Sequence, residues 1–99
     1  MTDESELAAQ LTAILSDLIA IPSTYPPGDT TEICAYIRAR YERAGFSCQT
    51  LSRADGVENV VACIGAGSPQ LALNCHIDTG EAGERKDWLT DPLQAVVKD

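Results

Sequence analysis

The chain has 99 residues, 44% hydrophobic and 22% charged, with fifteen acidic against seven basic side chains and a formal net charge of -8. That length fits one small domain or part of a larger one. The acidic balance argues against nucleic acid as a partner, because phosphate contacts need clustered Lys and Arg. It also disfavours an anionic membrane surface, and it leaves a small-molecule substrate open.

The first organised segment runs from about Asp3 to Ala20. Leu7, Leu11, Ile14, Leu15, Leu18 and Ile19 fall on one stripe of an amphipathic helix. Asp3 with Glu6 resembles a capping box, and Pro22 marks the stop. With no basic residue on the exposed face, packing onto a core is the expected role rather than lying on a membrane. Ile21 to Gly28 holds three prolines and a glycine, so a loop is expected there. Its Ser23, Thr24 and Tyr25 are read as hydroxyls satisfying a turn, with lining a site as the sharper alternative.

Asp29-Thr30-Thr31-Glu32 is a second capping box, opening a helix to about Ala44. Ile33, Tyr36, Ile37, Tyr41 and Ala44 define its expected inner face, and Gly45 its C-terminal stop. Arg38, Arg40 and Arg43 are read as a solvated face near the negative end of the helix dipole, not as a phosphate site. The period then changes: Phe46–Ser52 reads as a strand, Arg53-Ala54-Asp55-Gly56 as a turn, and Asn59–Ile64 as a second, more buried strand. Gly65-Ala66-Gly67-Ser68-Pro69 is a connection; with no helix following, its glycines do not make a nucleotide loop.

Leu71 to Cys75 is apolar at nearly every position and is predicted to be a third, buried strand. After Thr79 the chain is rich in charge and glycine, and Ala95-Val96-Val97 is read as the start of another strand. The order helix, helix, strand, strand, strand predicts an α/β layer with an incomplete sheet. So thin a sheet, and so abrupt an end, are expected of the beginning of a longer protein.

Cysteines stand at positions 34, 48, 63 and 75 with no Cys-x-x-Cys, so neither a zinc ribbon nor a thioredoxin-type motif is present. The N-terminus lacks the pattern of a signal peptide, and no apolar run approaches the ~20 residues needed to span a bilayer. A cytoplasmic protein with reduced, mostly buried thiols is expected.

The chemistry concentrates at His76, the only histidine, and Asp78. Side chains at i and i+2 on an extended backbone point to the same side, so the carboxylate can hold the imidazole. That is half of a metal-ligand or general-base arrangement. The rival is a thiolate at Cys75, but neighbours on a strand face opposite ways, and a buried, inert thiol is the preferred reading. No Gly-x-Ser-x-Gly elbow supports a serine triad. One histidine and one aspartate are too few for a catalytic zinc, which takes about three protein ligands. Glu81, Glu84, Asp87 and Asp91 could complete a site only by folding back, and they fit a solvated loop better.

Leu18-Ile19-Ala20-Ile21-Pro22-Ser23, Pro26-Pro27-Gly28, Ala44-Gly45-Phe46, Glu58-Asn59-Val60-Val61-Ala62, Leu73-Asn74-Cys75-His76-Ile77-Asp78, Trp88 and Asp91-Pro92-Leu93 come in an order and spacing that cover most of the chain. Together they resemble the N-terminal part of the zinc aminoacylase/glutamate carboxypeptidase metallopeptidases, the group of acetylornithine deacetylase and succinyl-diaminopimelate desuccinylase. The resemblance implies a zinc-peptidase-like α/β/α catalytic domain of which residues 1–99 are the N-terminal portion. It implies a two-zinc hydrolase (cobalt being an alternative metal) of amide bonds in N-acyl amino acids or small peptides, homodimeric at full length. It assigns His76 as a metal ligand and Asp78 as the catalytic-site acid that orients it. The glutamate base, the bridging aspartate, the other ligands and an inserted dimerisation domain match positions beyond Asp99. The chain departs from the family at Cys75, where glycine is common, at Thr79-Gly80-Glu81, where Val-Val-Pro is frequent, and at Leu93, where phenylalanine is usual. Those departures bear on substrate class more than on metal binding. The expectation is an inactive N-terminal fragment of such an enzyme; the alternative, of another class, is a non-catalytic interaction module or truncated gene product.

Overall fold

The computed structural model describes residues 3–68 and 71–98. Its elements are helix α1 (Glu4–Ala20), helix α2 (Thr31–Arg43), strands β1 (Ser47–Ala54) and β2 (Val57–Cys63), and a single 3-10 turn at Arg85–Asp87. The chain divides into two units, Ser23–Glu81 and Met1–Pro22 with Ala82–Asp99.

Within Ser23–Glu81, β1 and β2 form a two-stranded antiparallel sheet, with Cys48 opposite Ala62 and Thr50 opposite Val60. Asp55-Gly56 makes the expected turn. Gly56 takes a φ of 80° while Asp55 keeps an ordinary one, and a bulge between Ser52 and Ala54 absorbs the mismatch. Glu58, Val60 and Ala62 alternate with exposed neighbours, so only one face of the sheet is covered, and α2 packs on both strands. The second strand is half-buried and, as expected, more buried than β1, in which only Cys48 is not exposed.

The stripe that α2 buries is Thr30, Ile33 and Cys34, continued by half-buried Ile37. This is i, i+3, i+4, i+7 spacing, turned away from the predicted stripe: Tyr41 and Ala44 are exposed. The cause is polar. The Thr30 hydroxyl donates to the Glu58 carbonyl and accepts from the Glu58 N–H, both at 2.8 Å, and the Thr30 N–H reaches the Gly56 carbonyl at 2.7 Å. Cys34 Sγ contacts the same Glu58 carbonyl at 3.4 Å. Burial, the largest cause, pushes the Cys34 thiol above its ordinary value. With Thr30 so engaged, Asp29 does the capping, accepting the Thr31 N–H at 3.0 Å; that bond holds the Asp29 carboxyl below its usual value.

The end of α2 follows the sequence closely. Gly45 has a φ of 93°, its N–H donates to Glu42, and the Phe46 N–H reaches back to Tyr41. The Phe46 and Tyr41 rings meet edge-to-face at 4.9 Å, the apolar contact that accompanies this type of stop. Arg38 pairs with Glu42 and donates to the Thr50 hydroxyl, and Arg40 lies over the Tyr36 ring, so these two bases are engaged locally.

In the other unit, α1 is capped as expected, the Glu6 N–H donating to Asp3 Oδ1 at 2.8 Å. The expected packing onto a core is not met: α1 buries none of its residues, and Leu7, Leu11 and Leu15 stay exposed. The segment sharing its unit is irregular apart from the 3-10 turn and presents no regular face to cover the stripe. Trp88 Nε1–H donates to the Ala82 carbonyl at 2.8 Å, and Asp91 Oδ1 accepts the Leu93 N–H. Ala95–Val97 does not form a strand.

The third strand is also corrected. Leu71–Cys75 has no strand partner among the described residues, and Leu71 and Leu73 are 79% and 89% exposed. A run of apolar residues sets what a segment would bury, whereas a strand also needs a neighbour to take its N–H and C=O groups. The two-stranded sheet supplies none here. The 69–70 portion of the preceding connection lies outside the described residues. No helix among the described residues is long and apolar enough to cross a membrane.

Candidate functional site

The proline loop after α1 returns beside the segment that carries His76. Gly28, buried and with a φ of 79°, donates its N–H to the Thr24 carbonyl and closes the turn. A Cβ on Gly28 would lie 2.9 Å from Tyr25 Cδ2, so the close approach requires glycine. Ser23–Tyr25 then runs parallel to Ile77–Thr79, meeting it in an isolated bridge between Thr24 and Thr79. The Thr79 N–H donates to the Ser23 carbonyl at 3.0 Å, and the Tyr25 N–H donates to the Thr79 carbonyl at 2.8 Å. A third bond comes from a side chain: the Ser23 hydroxyl donates to the Ile77 carbonyl at 2.8 Å.

Alternate residues of an extended segment turn their peptide groups to opposite edges. With Ile77 and Thr79 turned toward Ser23–Tyr25, the Asp78 carbonyl faces the other edge, and there it meets His76. Nδ1 of His76 lies 2.8 Å from the Asp78 backbone oxygen and 3.3 Å from Asp78 Oδ1. The same-side placement expected of positions i and i+2 is present, but the main-chain oxygen makes the shorter contact. A carbonyl only accepts, so Nδ1 carries the proton in this bond. In the neutral ring, Nε2 is then a bare lone pair. The imidazole is 84% exposed, which leaves that lone pair accessible.

Two expectations about the surroundings change. Because Leu71–Cys75 is not a buried strand, His76 follows an exposed irregular segment instead of a sheet strand. Cys75 is exposed, not buried; Cys63 is exposed as well, and all four cysteines are free. Of the four thiols only Cys34 is buried, so the thiols are not mostly buried.

The donor chemistry of His76 suits a zinc ligand, a ring oriented through one nitrogen and open at the other. The set is incomplete: among the described residues no group of three or more His, Cys, Asp or Glu side chains is placed to hold a metal ion. Ser23, read from the sequence as a turn hydroxyl with lining a site as the alternative, takes a place in this arrangement that the sequence does not specify. Its partner lies 54 positions away, and its only local signal was a proline neighbour.

No protein-family model and no solved structure matches the chain. Curated relatives do. The chain is 36% identical over 92 residues to a succinyl-diaminopimelate desuccinylase of Bordetella pertussis, covering 93% of this chain and 24% of that protein. It is 39% identical over 83 residues to the enzyme of the same name from Stenotrophomonas maltophilia, covering 84% of this chain and 21% of the relative. With that of Xanthomonas campestris pv. campestris it shares 34% identity over 93 residues, 94% of this chain and 24% of the relative. The chain thus spans less than a quarter of the length of these relatives. A match of 92 residues in a chain of 99 must take in positions 76 and 78.

Proposed function

We propose that this chain, which fits the N-terminal part of the succinyl-diaminopimelate desuccinylase family, contributes one metal ligand and its orienting acid to a hydrolase of amide bonds in N-acyl amino acids or small peptides. His76 is the ligand, through Nε2. Asp78 orients the ring, through its backbone oxygen first and its carboxylate second. The observation that carries this reading is the 2.8 Å contact from His76 Nδ1 to the Asp78 carbonyl, which fixes one nitrogen and frees the other. The relatives' names favour a succinyl group as the acyl part.

Zinc fits the donor, with cobalt as a substitute; when bound it supplies Lewis acidity toward the scissile carbonyl and toward water. The complete enzyme is proposed to hold two ions, to form a homodimer and to work in the cytoplasm. The 99-residue chain by itself is proposed to be inactive, because one nitrogen and one carboxylate fall short of the three or so protein ligands a catalytic zinc needs.

The test uses the purified chain with zinc or cobalt, assayed on N-succinyl and N-acetyl amino acids, alongside cobalt uptake followed by absorbance. No turnover and weak cobalt uptake are expected. His76→Ala should abolish that uptake, and Asp78→Ala should weaken it only in part, since the shorter bond to Nδ1 comes from the main chain. Robust turnover would overturn the inactive fragment, and undiminished uptake by His76→Ala would overturn the ligand assignment.

A further inference from the structure

We propose that Ser23 is a positioning residue for the His76 imidazole, acting through the peptide group of Ile77. The functional meaning of this inference rests on the assignment of His76 as a metal ligand; its geometry does not.

Ser23 is 3% exposed, one of two buried polar residues among those described, and its hydroxyl donates to the Ile77 carbonyl at 2.8 Å. In a regular parallel ladder the rung before the Thr24–Thr79 bridge would run from the Ser23 N–H to the Ile77 carbonyl. Here the Ser23 hydroxyl makes that bond. The loop therefore holds residues 77–79 at three points: the Ile77 carbonyl, the Thr79 N–H and the Thr79 carbonyl. Two of these bracket the peptide groups of Asp78. Fixing Ile77 and Thr79 on one edge commits the Asp78 carbonyl to the opposite edge, where it accepts from Nδ1. Removing the hydroxyl leaves the Ile77 carbonyl without its partner, so the Ile77–Asp78 peptide is free to rotate and to swing His76 away from the Asp78 carbonyl, which stays in place because it shares a planar peptide with the Thr79 N–H. The ring then loses the bond that keeps its proton on Nδ1. Thr79 keeps its two backbone bonds, so the bridge itself survives the loss.

His76 is the only histidine, so its ring nitrogens give unambiguous NMR signals. The experiment measures the tautomer of His76 from nitrogen chemical shifts, in the full 99-residue chain, at a pH above the ordinary imidazole range. The unmodified chain should be predominantly protonated at Nδ1. Ser23→Ala should move the ratio at least threefold toward the value of the urea-unfolded chain, and Ser23→Thr, which retains the hydroxyl, should recover it. Val60→Ala, on the helix-facing side of β2, lowers stability without touching this loop and should leave the ratio unchanged. Retention of the Nδ1 tautomer in Ser23→Ala would overturn the proposal, as would an equal shift in Val60→Ala. Should Ser23→Ala fail to fold by circular dichroism, the unmodified chain is titrated with urea. Joint loss of the Nδ1 tautomer and of Thr79 amide protection supports the proposal, and a tautomer that outlasts that protection overturns it. Cobalt uptake is the separate arm. A tautomer shift in Ser23→Ala, together with undiminished cobalt uptake by His76→Ala, supports the positioning role while removing His76 from the ligand set.

Discussion

Replacing Thr30 by valine keeps the shape of a buried side chain and deletes one oxygen. That oxygen makes two hydrogen bonds of 2.8 Å, donating to the Glu58 carbonyl and accepting from the Glu58 N–H. A typical intramolecular hydrogen bond contributes about 1 kcal/mol net, and a buried partner left without one costs about 1–3 kcal/mol. Glu58 is half-buried, so water recovers part of that loss, and Thr30→Val is expected to destabilise the chain by about 2–3 kcal/mol. A urea titration followed by circular dichroism measures it. With a slope of about 1 kcal/mol per molar for a chain of this size, the midpoint should fall by about 2 M or more. Thr30→Ser, which keeps the hydroxyl, should lose less than half as much. A Thr30→Val chain within about 0.5 kcal/mol of the unmodified one, at unchanged slope, would refute the idea that this hydroxyl joins α2 to β2.

Gly56→Ala places a Cβ 3.0 Å from Asp29 Oδ2 at a φ of 80°, and should cost about 1–2 kcal/mol in the same titration. Alkylation under native conditions, followed by mass spectrometry, should label Cys63 and Cys75 first and Cys34 last, because Cys34 is buried and its thiol raised. The raised Cys34 value contributes stability that is present below the unfolded thiol's value and lost as pH rises through the folded one. Cys34→Ala should therefore flatten the alkaline limb of a pH–stability curve. The lowered Asp29 value has the opposite sign: its contribution is present above the ordinary carboxylate value of about 4 and lost as pH falls through the folded one. Asp29→Asn should remove that acid limb, read by circular dichroism. Leu73→Ser, at an 89% exposed position, should change stability by less than about 0.5 kcal/mol despite removing a large apolar side chain.

The parts of the fold legible in the sequence are those whose signals and partners are close in the chain. Asp3 caps a turn it adjoins, Gly45 and Phe46 stop a helix they follow, and Asp55-Gly56 turns a hairpin from within. The errors arise where a residue's partner is distant. Asp29 caps α2 as its box implies, but a strand edge 28 positions away takes the Thr30 hydroxyl, and that distant partner rotates the buried stripe of α2. The apolar run Leu71–Cys75 was visible as composition, whereas strand pairing depends on a neighbour that composition does not specify. The His76–Asp78 pair was legible for a local reason, the two-residue repeat of an extended backbone. That the main-chain oxygen makes the shorter bond was not, because every residue carries the same oxygen. The succinyl-diaminopimelate desuccinylase relatives support the family resemblance drawn from the residues.

The tie between Ser23 and Ile77 also has a bearing on the order of assembly. It joins positions 54 apart, against 28 for the Thr30–Glu58 clasp and three for the hairpin closed by Ala54 and Val57. Each doubling of a closed loop adds only about 0.6 kcal/mol of entropic cost, but that cost falls before any contact made by the closure is gained. The hairpin and α2 can therefore form while residues 76–79 are still free. Substitutions at Ser23 should speed unfolding and leave the folding rate nearly unchanged, whereas those in the hairpin should slow folding. In this chain the histidine would be set in place last and released first.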